Sequence, residues 1–264
     1  MDLKLEGKRA LVTGSTAGLG EAIVKMLAAE GAAVVVHGRD ESRARSIAYA
    51  IAGMGQEADF AVGDLSTDAG ADAVRQRVGG DVDILVNNAG AYRHLSWETA
   101  TPREWARTYD VNVLSGVRMV ERFVPPMRER GWGRVIQIGG GLAGQPLSGL
   151  PDYSASLAAR HNLAVSLARE LRDTGVTSNI VAPGAILVPA VRAFFEEIAP
   201  ERGWGGSWDE IERNSVRDMV PNDVGRLGRP DEIAAAVAFL ASEHADYISG
   251  ATIRVDGGAI RSAF

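Results

Sequence analysis

Short apolar runs alternate with segments of helical spacing along the whole chain of 264 residues. Six of these segments have apolar residues at the three- and four-residue intervals of helices. The runs between them are rich in valine and isoleucine and close with Gly, Asn or Pro, as buried parallel strands do. They read RALVTG, AVVVHG, ADFAVG, DILVNN, GRVIQI, TSNIVAPG and ATIRVDGG. The alternation predicts one doubly wound α/β domain over residues 1–264, with a seven-stranded, mainly parallel sheet, helices on both faces and a ligand site at the carboxyl ends of the strands.

Residues 189–229 interrupt this alternation with a mostly helical insertion that contains a glycine-rich elbow, GWGGSW. Because the insertion follows the sixth strand, we expect it at the ligand end of the sheet, where it would form a substrate lid. Its aromatic residues indicate either an apolar, aromatic or acyl substrate or ordinary helix packing. They are Phe194, Phe195, Trp204 and Trp208.

The composition narrows the classes of partner. A net charge of -6 without a basic run argues against nucleic acid, and the absence of cysteine rules out disulfides and thiolate chemistry. The opening MDLKLEGKRALVTG is too polar for a signal peptide or a membrane anchor, so we expect a cytoplasmic protein. We predict a small-molecule substrate and no metal site.

A glycine-rich turn, TGSTAGLG at residues 13–20, follows the first strand and leads into a helix. Glycines let a backbone turn tightly and approach a pyrophosphate, whose charge then lies at the positive end of the helix. The spacing of these glycines resembles that of the short-chain dehydrogenase/reductase family. The motif NNAG at residues 87–90, the Pro183-Gly184 pair and the C-terminal segment GRLGRPDEIAAAVAFLASEHADYISGATIRVDGG extend the resemblance over residues 7–258.

This resemblance implies a Rossmann fold with a bound dinucleotide. The residues that it assigns to the phosphates and the adjoining ribose are Gly14, Ser15, Gly18, Leu19 and Gly20. It assigns Asp64 and Leu65 to the adenine, Asn87, Ala89 and Gly90 to the inner ribose, and Pro183 and Gly184 to the cofactor site as well.

The end of the second strand, VVVHGRDES, bears on the choice of dinucleotide. A carboxylate there would bind a free ribose 2′-hydroxyl, whereas a guanidinium would bind a 2′-phosphate. His37 and Gly38 stand where the acid usually falls, and Arg39 follows them. We therefore predict NADP(H) rather than NAD(H), and we interpret Asp40 as a helix cap.

The resemblance also implies a catalytic set of Asn, Ser, Tyr and Lys, of which this chain has only two. Asn112 and Tyr153 match the family pattern, but the serine position is Gly140 and the lysine position is Leu157. A threonine that often follows the Pro-Gly pair is replaced here by Val188. The serine would polarise the substrate carbonyl, and the lysine would lower the tyrosine pKa. Without that lysine, a tyrosine of pKa about 10 is only about one thousandth ionised at neutral pH.

Three other residues could replace the missing serine and lysine, and each also has an ordinary structural interpretation. Arg160 could supply the missing cation, although we interpret it as a solvated or interface arginine. Ser148 could present a hydroxyl but reads as a turn former, and His94 could donate a proton but reads as a surface histidine.

We predict an atypical NADP(H)-dependent oxidoreductase that reduces a carbonyl of a small apolar or acyl substrate, with Tyr153 as proton donor and Asn112 in support. The alternatives are a non-redox dehydratase, cyclase or isomerase, or a pseudoenzyme that only binds the cofactor. The resemblance also implies a homo-oligomer, either a dimer or a tetramer.

Overall fold

Seven parallel strands form one sheet in a computed structural model that describes residues 1–262. Their bounds are β1 Arg9–Val12, β2 Ala33–Gly38, β3 Ala58–Val62, β4 Ile84–Asn87, β5 Gly133–Ile138, β6 Val176–Pro183 and β7 Thr252–Val255. The order across the sheet is β3-β2-β1-β4-β5-β6-β7, and every neighbouring pair is parallel. The predicted doubly wound Rossmann sheet is confirmed, and its order reverses between β1 and β4, where such folds bind ligands.

Nine α-helices connect the strands within the described residues. They are α1 Gly18–Ala29, α2 Glu41–Ala52, α3 Asp68–Val78, α4 Pro102–Tyr109, α5 Ser115–Arg130, α6 Pro151–Glu170, α7 Pro189–Arg202, α8 Trp208–Met219 and α9 Pro230–Ala241. The predicted cap at Asp40 is confirmed, because its side chain accepts a hydrogen bond from the Arg43 amide at the start of α2.

The segment PREWARTYDVNVLSGVRMVERFVPPM has helical spacing throughout and predicts one helix, whereas the structure interrupts it with a π-helical turn at Asp110–Leu114. Single π turns of this kind are frequent at functional sites. This one contains Asn112, so the change of helical pitch falls on a predicted catalytic residue.

Alternate side chains of each strand enter different cores, as strand geometry requires. On β1, Ala10 and Val12 join the apolar cluster shared with α1 and α9, whereas Leu11 joins the cluster shared with α3 and α5. Helices thus cover both faces of the sheet, as predicted. No helix within residues 1–262 is both long and apolar enough to cross a membrane.

The segment between β6 and α9 contains α7 and α8, which pack around an apolar cluster of their own. Trp204 is buried in this cluster, and its indole Nε1 donates to Asp218 Oδ2 at 2.9 Å. Phe195 packs against Trp204, with the ring centroids 5.9 Å apart. For these two aromatic residues the packing interpretation is the right one.

Candidate functional site

The glycine-rich turn after β1 is shaped by conformations and spaces that exclude side chains. Gly14 and Gly18 have φ values of +63° and +56°, in the left-handed region that favours glycine. A Cβ at Gly14 would stand 3.0 Å from the Ala89 Cα, and one at Gly20 would overlap the Gly14 carbonyl oxygen. Helix α1 begins after Ala17 without a side-chain cap. Its first amides are therefore available to an anionic ligand.

Thr13 and Asn88 join this turn to the end of β4. The Thr13 hydroxyl accepts hydrogen bonds from the amides of Asn88 at 3.0 Å and Ala89 at 2.9 Å. The Asn88 side-chain nitrogen donates to the carbonyls of Thr13 and Gly14 at 2.9 and 3.0 Å. Both residues lie within the motifs that the sequence pointed to, but neither was among the predicted site residues.

Several predicted cofactor residues lie inside the protein instead of at its surface. Ser15 is fully buried, donates from Oγ to Val12 and accepts from the His37 amide, so it shapes the turn and offers no group to a ligand. The others that are buried are Gly20, Leu65, Asn87 and Pro183. The sequence could not separate residues that touch a ligand from those that support the turn, because both kinds lie in the same motifs.

The remaining predicted cofactor residues reach the surface at the carboxyl edge of the sheet. Partly buried or exposed there are Gly14, Gly18, Leu19, Arg39, Asp64, Ala89, Gly90 and Gly184. The ends of β1, β2, β3, β4 and β6 thus bring them to one edge. The position where the family often has threonine also lies here, since a Cβ at Gly18 would meet Val188 Cγ1 at 3.4 Å.

His37 is a structural member of this edge that sequence reasoning assigned to no role. Its ring is 3% exposed, Nδ1 accepts from the Gly14 amide at 3.0 Å, and Nε2 lies 3.1 Å from the Gly63 carbonyl. Because an amide occupies Nδ1, the proton belongs on Nε2, which donates to Gly63. Burial lowers the pKa of His37 to about 4, so the ring is neutral at pH 7.

Acidification is expected to weaken the fold through His37. The folded protein resists protonation of the ring until about pH 4, whereas an unfolded histidine titrates near pH 6.5, so the contribution is complete above pH 6.5 and is lost as the pH falls toward 4. Between pH 7 and pH 4.5 this one group should lower the free energy of unfolding by about 2 kcal/mol.

Denaturant unfolding at both pH values measures this loss. His37→Gln keeps one acceptor and one donor but does not titrate. It should reduce the difference in the free energy of unfolding between pH 7 and pH 4.5 by about 2 kcal/mol. His244→Gln, a change at an exposed histidine, should leave it as in the parent protein. If the His37 variant and the parent lose the same stability on acidification, His37 is not the group responsible.

The end of β2 has no carboxylate that would bind a ribose 2′-hydroxyl. A Cβ at Gly38 would overlap Thr16 Cγ2, so a larger residue there would require the Thr16 side chain to move. Arg39 follows at the surface. Asp64 follows the neighbouring strand β3. A hydrogen bond from the Ser66 amide holds the pKa of its carboxyl below the usual value, with a smaller contribution from the Arg39 charge.

Tyr153 lies in the first turn of α6, where Pro151 occupies the first helical position. Its ring is partly buried and packs on Tyr92, with the centroids 5.4 Å apart. Burial raises the pKa of Tyr153, although the positive charge of Arg160 partly opposes this effect. The phenol is therefore protonated at neutral pH, as a proton donor must be.

The two departures from the family pattern, Gly140 and Leu157, contact each other. A Cβ at Gly140 would stand 3.0 Å from Leu157 Cδ1, and Leu157 is itself buried. One turn further along α6, His161 fills the space that a Cβ at Gly139 would need. The glycine run after β5 is thus fitted to the large side chains of α6.

Asn112 braces the loop after β4 from inside the protein. Its Oδ1 accepts from the Ala91 amide at 2.8 Å, while Nδ2 donates to the Ala91 carbonyl at 2.9 Å and to Ser156 Oγ at 3.0 Å. The side chain is 1% exposed. Asn112 therefore supports the site through the loop that it holds, and its amide group is fully used in doing so.

The interpretation of Arg160 as a solvated or interface arginine is wrong, because the structure buries it. Its guanidinium donates to the carbonyls of Ala89, Asn112 and Ile138. By contrast, Ser148 lies on an exposed loop, in keeping with a turn former.

A row of aromatic rings leads from Tyr153 to the insertion. Tyr92 contacts both Tyr153 and the exposed His94, which stacks on Phe194 of α7 with the centroids 5.4 Å apart. Phe194 in turn contacts Phe195. His94 is thus a surface residue that also joins the loop after β4 to the insertion, and this row forms an apolar wall beside Tyr153.

Comparison with known proteins identifies relatives over the full chain. The family model for short chain dehydrogenases matches residues 8–199. Uncharacterized oxidoreductase YvaG of Bacillus subtilis is 38% identical over 100% of both chains. The 3-oxoacyl-(acyl-carrier-protein) reductase FabG of Escherichia coli is 36% identical over 97% of this chain and 98% of its own. L-Sorbose reductase from Gluconobacter frateurii, solved with NADPH and L-sorbose, has a TM-score of 0.93 at 33% identity, over 99% of this chain and 100% of its own.

Proposed function

The chain belongs to the short-chain dehydrogenase/reductase family and is an NAD(P)-dependent oxidoreductase, and we propose that it reduces a carbonyl group with Tyr153 as the proton donor. The observation that carries this proposal is the position of Tyr153, which packs on Tyr92 of the loop after β4, at the same sheet edge as the glycine-rich turn. The open amides of α1 fit a dinucleotide pyrophosphate, and the glycines at 14 and 20 allow the tight turn that presents them.

The amides at the start of α1 would hold the phosphates of a reduced nicotinamide dinucleotide, which would supply the hydride for the carbonyl carbon. Tyr153 gives its phenolic proton to the carbonyl oxygen, so an alcohol forms and a phenolate remains, which water then protonates again. Asn112 holds the loop after β4 in place during this transfer. Gly140 contributes no hydroxyl to polarise the carbonyl, and this absence is the main reason to expect slow turnover.

The proposed substrate is a small apolar or acyl carbonyl compound. Its binding wall would be the row of Tyr92, His94 and Phe194, which lies beside Tyr153. The likeness to a 3-oxoacyl reductase supports an acyl substrate, whereas the likeness to L-sorbose reductase points to a more polar ketone. Both classes therefore belong in the assay.

The test is sustained oxidation of NADPH that depends on an added carbonyl compound. The panel should contain 3-oxoacyl thioesters, aromatic and aliphatic ketones, and ketoses, and each alcohol product should be identified. Turnover with any of them supports the reductase. Product formation without a change in cofactor absorbance would instead establish a non-redox enzyme, and cofactor binding without turnover would favour a pseudoenzyme.

We also propose that NADP(H) is preferred to NAD(H). Gly38 provides no ribose-binding carboxylate, and the close Thr16 side chain disfavours a larger residue there, whereas the exposed Arg39 can pair with a 2′-phosphate. The NADPH in the L-sorbose reductase complex is in keeping with this choice.

Arg39→Ala is expected to weaken NADPH binding by about tenfold to a hundredfold, because a charge-assisted hydrogen bond contributes about 1.5–3 kcal/mol. NADH, which lacks the 2′-phosphate, should bind both proteins with similar affinity. Cofactor fluorescence titrations measure the two constants, with the exposed Arg128→Ala on α5 as the control. An equal loss for both cofactors would contradict a role in binding the 2′-phosphate.

The segment 189–229 is proposed as the substrate lid, because its α7 carries Phe194 to the aromatic wall beside Tyr153. Three further predictions stand. Residues 1–264 form a single domain, the protein associates into a homodimer or homotetramer, and it is located in the cytoplasm.

A further inference from the structure

Arg160 is buried on α6, two helical turns after Tyr153, and is 4% exposed. All three nitrogen positions of its guanidinium are occupied. Nε donates to the main-chain oxygen of Asn112, Nη1 to that of Ile138 at 2.7 Å, and Nη2 to that of Ala89.

Each of these carbonyls belongs to a different wall of the site. Asn112 lies in the π turn, Ile138 is the last residue of β5 before the glycine run, and Ala89 follows β4 beside the glycine-rich turn. One side chain therefore fixes three segments against the helix that carries Tyr153.

The positive charge of Arg160 has no carboxylate partner within residues 1–262. All three of its acceptors are neutral carbonyls, and a buried cation without a counter-charge is costly. Burial lowers the pKa of Arg160 to about 10, so it remains charged at pH 7. The charge of Tyr153 opposes this lowering of the Arg160 pKa.

The other titratable groups around Tyr153 do not supply that counter-charge. Tyr92 faces it from the loop after β4. Asp152 precedes it on α6, but within the described residues it forms no ion pair with Arg160, and its Oδ2 accepts a hydrogen bond from Thr108 of α4. A phenolate at Tyr153 would be the anion that the buried guanidinium lacks.

Nothing else along this part of α6 brings a cation to Tyr153. The position one turn after it is Leu157, an apolar side chain that packs toward Gly140. The chain contains no lysine after Lys25. Arg160 is therefore the cation that the structure offers to this tyrosine.

We infer that Arg160 is a positioning residue that stabilises the phenolate formed when Tyr153 gives up its proton, while its hydrogen bonds hold the Asn112, Ile138 and Ala89 carbonyls. The inference rests on the proposed function only in taking Tyr153 as the group that ionises.

The test separates the charge of Arg160 from its hydrogen bonds. Arg160→Gln keeps a hydrogen-bond donor without the charge, and Arg160→Lys keeps the charge with fewer donors. All tyrosines are replaced biosynthetically by difluorotyrosine, which titrates at lower pH, and the Tyr153 resonance is assigned by fluorine NMR from its absence in Tyr153→Phe. Each protein is titrated with and without saturating NADP.

Loss of the charge should raise the apparent pKa of the fluorinated Tyr153 by about one unit or more. Arg160→Lys should stay much closer to the parent, and Arg169→Gln, a change at an exposed arginine of the same helix, should not alter it. The same pKa in Arg160→Gln as in the parent, or equal shifts in the Gln and Lys variants, would overturn the inference. If Arg160→Gln does not fold, Arg160→Met provides the neutral variant.

This readout does not depend on catalysis. A shift that follows the charge in a protein without carbonyl reductase activity would refute the proposed function and leave the inference standing. An active reductase whose Tyr153 titration ignores Arg160 would refute the inference alone.

Discussion

Tyr153→Phe is expected to lower the rate of carbonyl reduction by about a hundred- to ten-thousandfold, the range that a general acid contributes. The phenylalanine ring fills the same space beside Tyr92 but has no proton to give. Because the turn that would hold the cofactor phosphates lies on other elements, NADPH affinity should change by less than about threefold. The effect should therefore fall on kcat. Steady-state kinetics with the best substrate of the panel, together with a cofactor titration, measures both quantities.

Tyr49→Phe is the matched control for this variant, because Tyr49 lies exposed on α2 at 67% exposure. Its rate should equal that of the parent protein. Retention of full kcat by Tyr153→Phe would remove the tyrosine from the chemistry. His94, which stands next to Tyr92 in the aromatic row, would then be the first candidate for the proton donor.

The sheet and the glycine-rich turn could be predicted because their signals are local. Buried parallel strands need unbroken apolar runs, and a turn that must adopt positive φ needs glycine at fixed places such as Gly14 and Gly18. The π turn at Asp110–Leu114 could not be predicted in the same way. Its helical propensity is ordinary, and the contacts of Asn112 with Ala91 and Ser156 come from distant parts of the chain.

Arg160 shows most clearly why the candidate site was only partly readable. Helical spacing indicates which face of α6 the residue shares, but it does not say whether that face meets water or carbonyl groups. The three acceptors stand 22, 48 and 71 residues away in the sequence. His37 is a similar case, since its burial depends on the Gly14 amide and the Gly63 carbonyl meeting its two ring nitrogens.

Gly140→Ser combined with Leu157→Lys is expected to raise kcat for carbonyl reduction by about a hundredfold or more, because it adds a hydroxyl to polarise the carbonyl and an ammonium beside the tyrosine. The two changes should depend on each other. A Cβ at residue 140 stands 3.0 Å from Leu157 Cδ1, so Gly140→Ser alone crowds the leucine. Leu157→Lys alone buries a cation but still lacks the serine hydroxyl that would polarise the substrate carbonyl.

Kinetics of the parent, both single variants and the double variant measure this dependence as a double-mutant cycle. The gain in the double variant should exceed the product of the two single effects. No gain in a double variant that still binds NADPH would mean that the pocket itself has been reshaped. Gly139 must stay glycine in every protein of the series, because His161 fills the space of its Cβ.

The double variant also separates the effect of the Arg160 charge from that of the ammonium introduced by Leu157→Lys. If Arg160 stabilises the phenolate of Tyr153 in the parent, an ammonium at position 157 would share that task, and Arg160→Gln should cost much less kcat in the double variant than in the parent. The hydrogen bonds of Arg160 to Ala89, Asn112 and Ile138 do not involve residues 140 or 157, so loss of a purely structural arginine should lower kcat by the same factor in each background. The ratio of the two costs therefore measures the part that the charge of Arg160 plays in the chemistry.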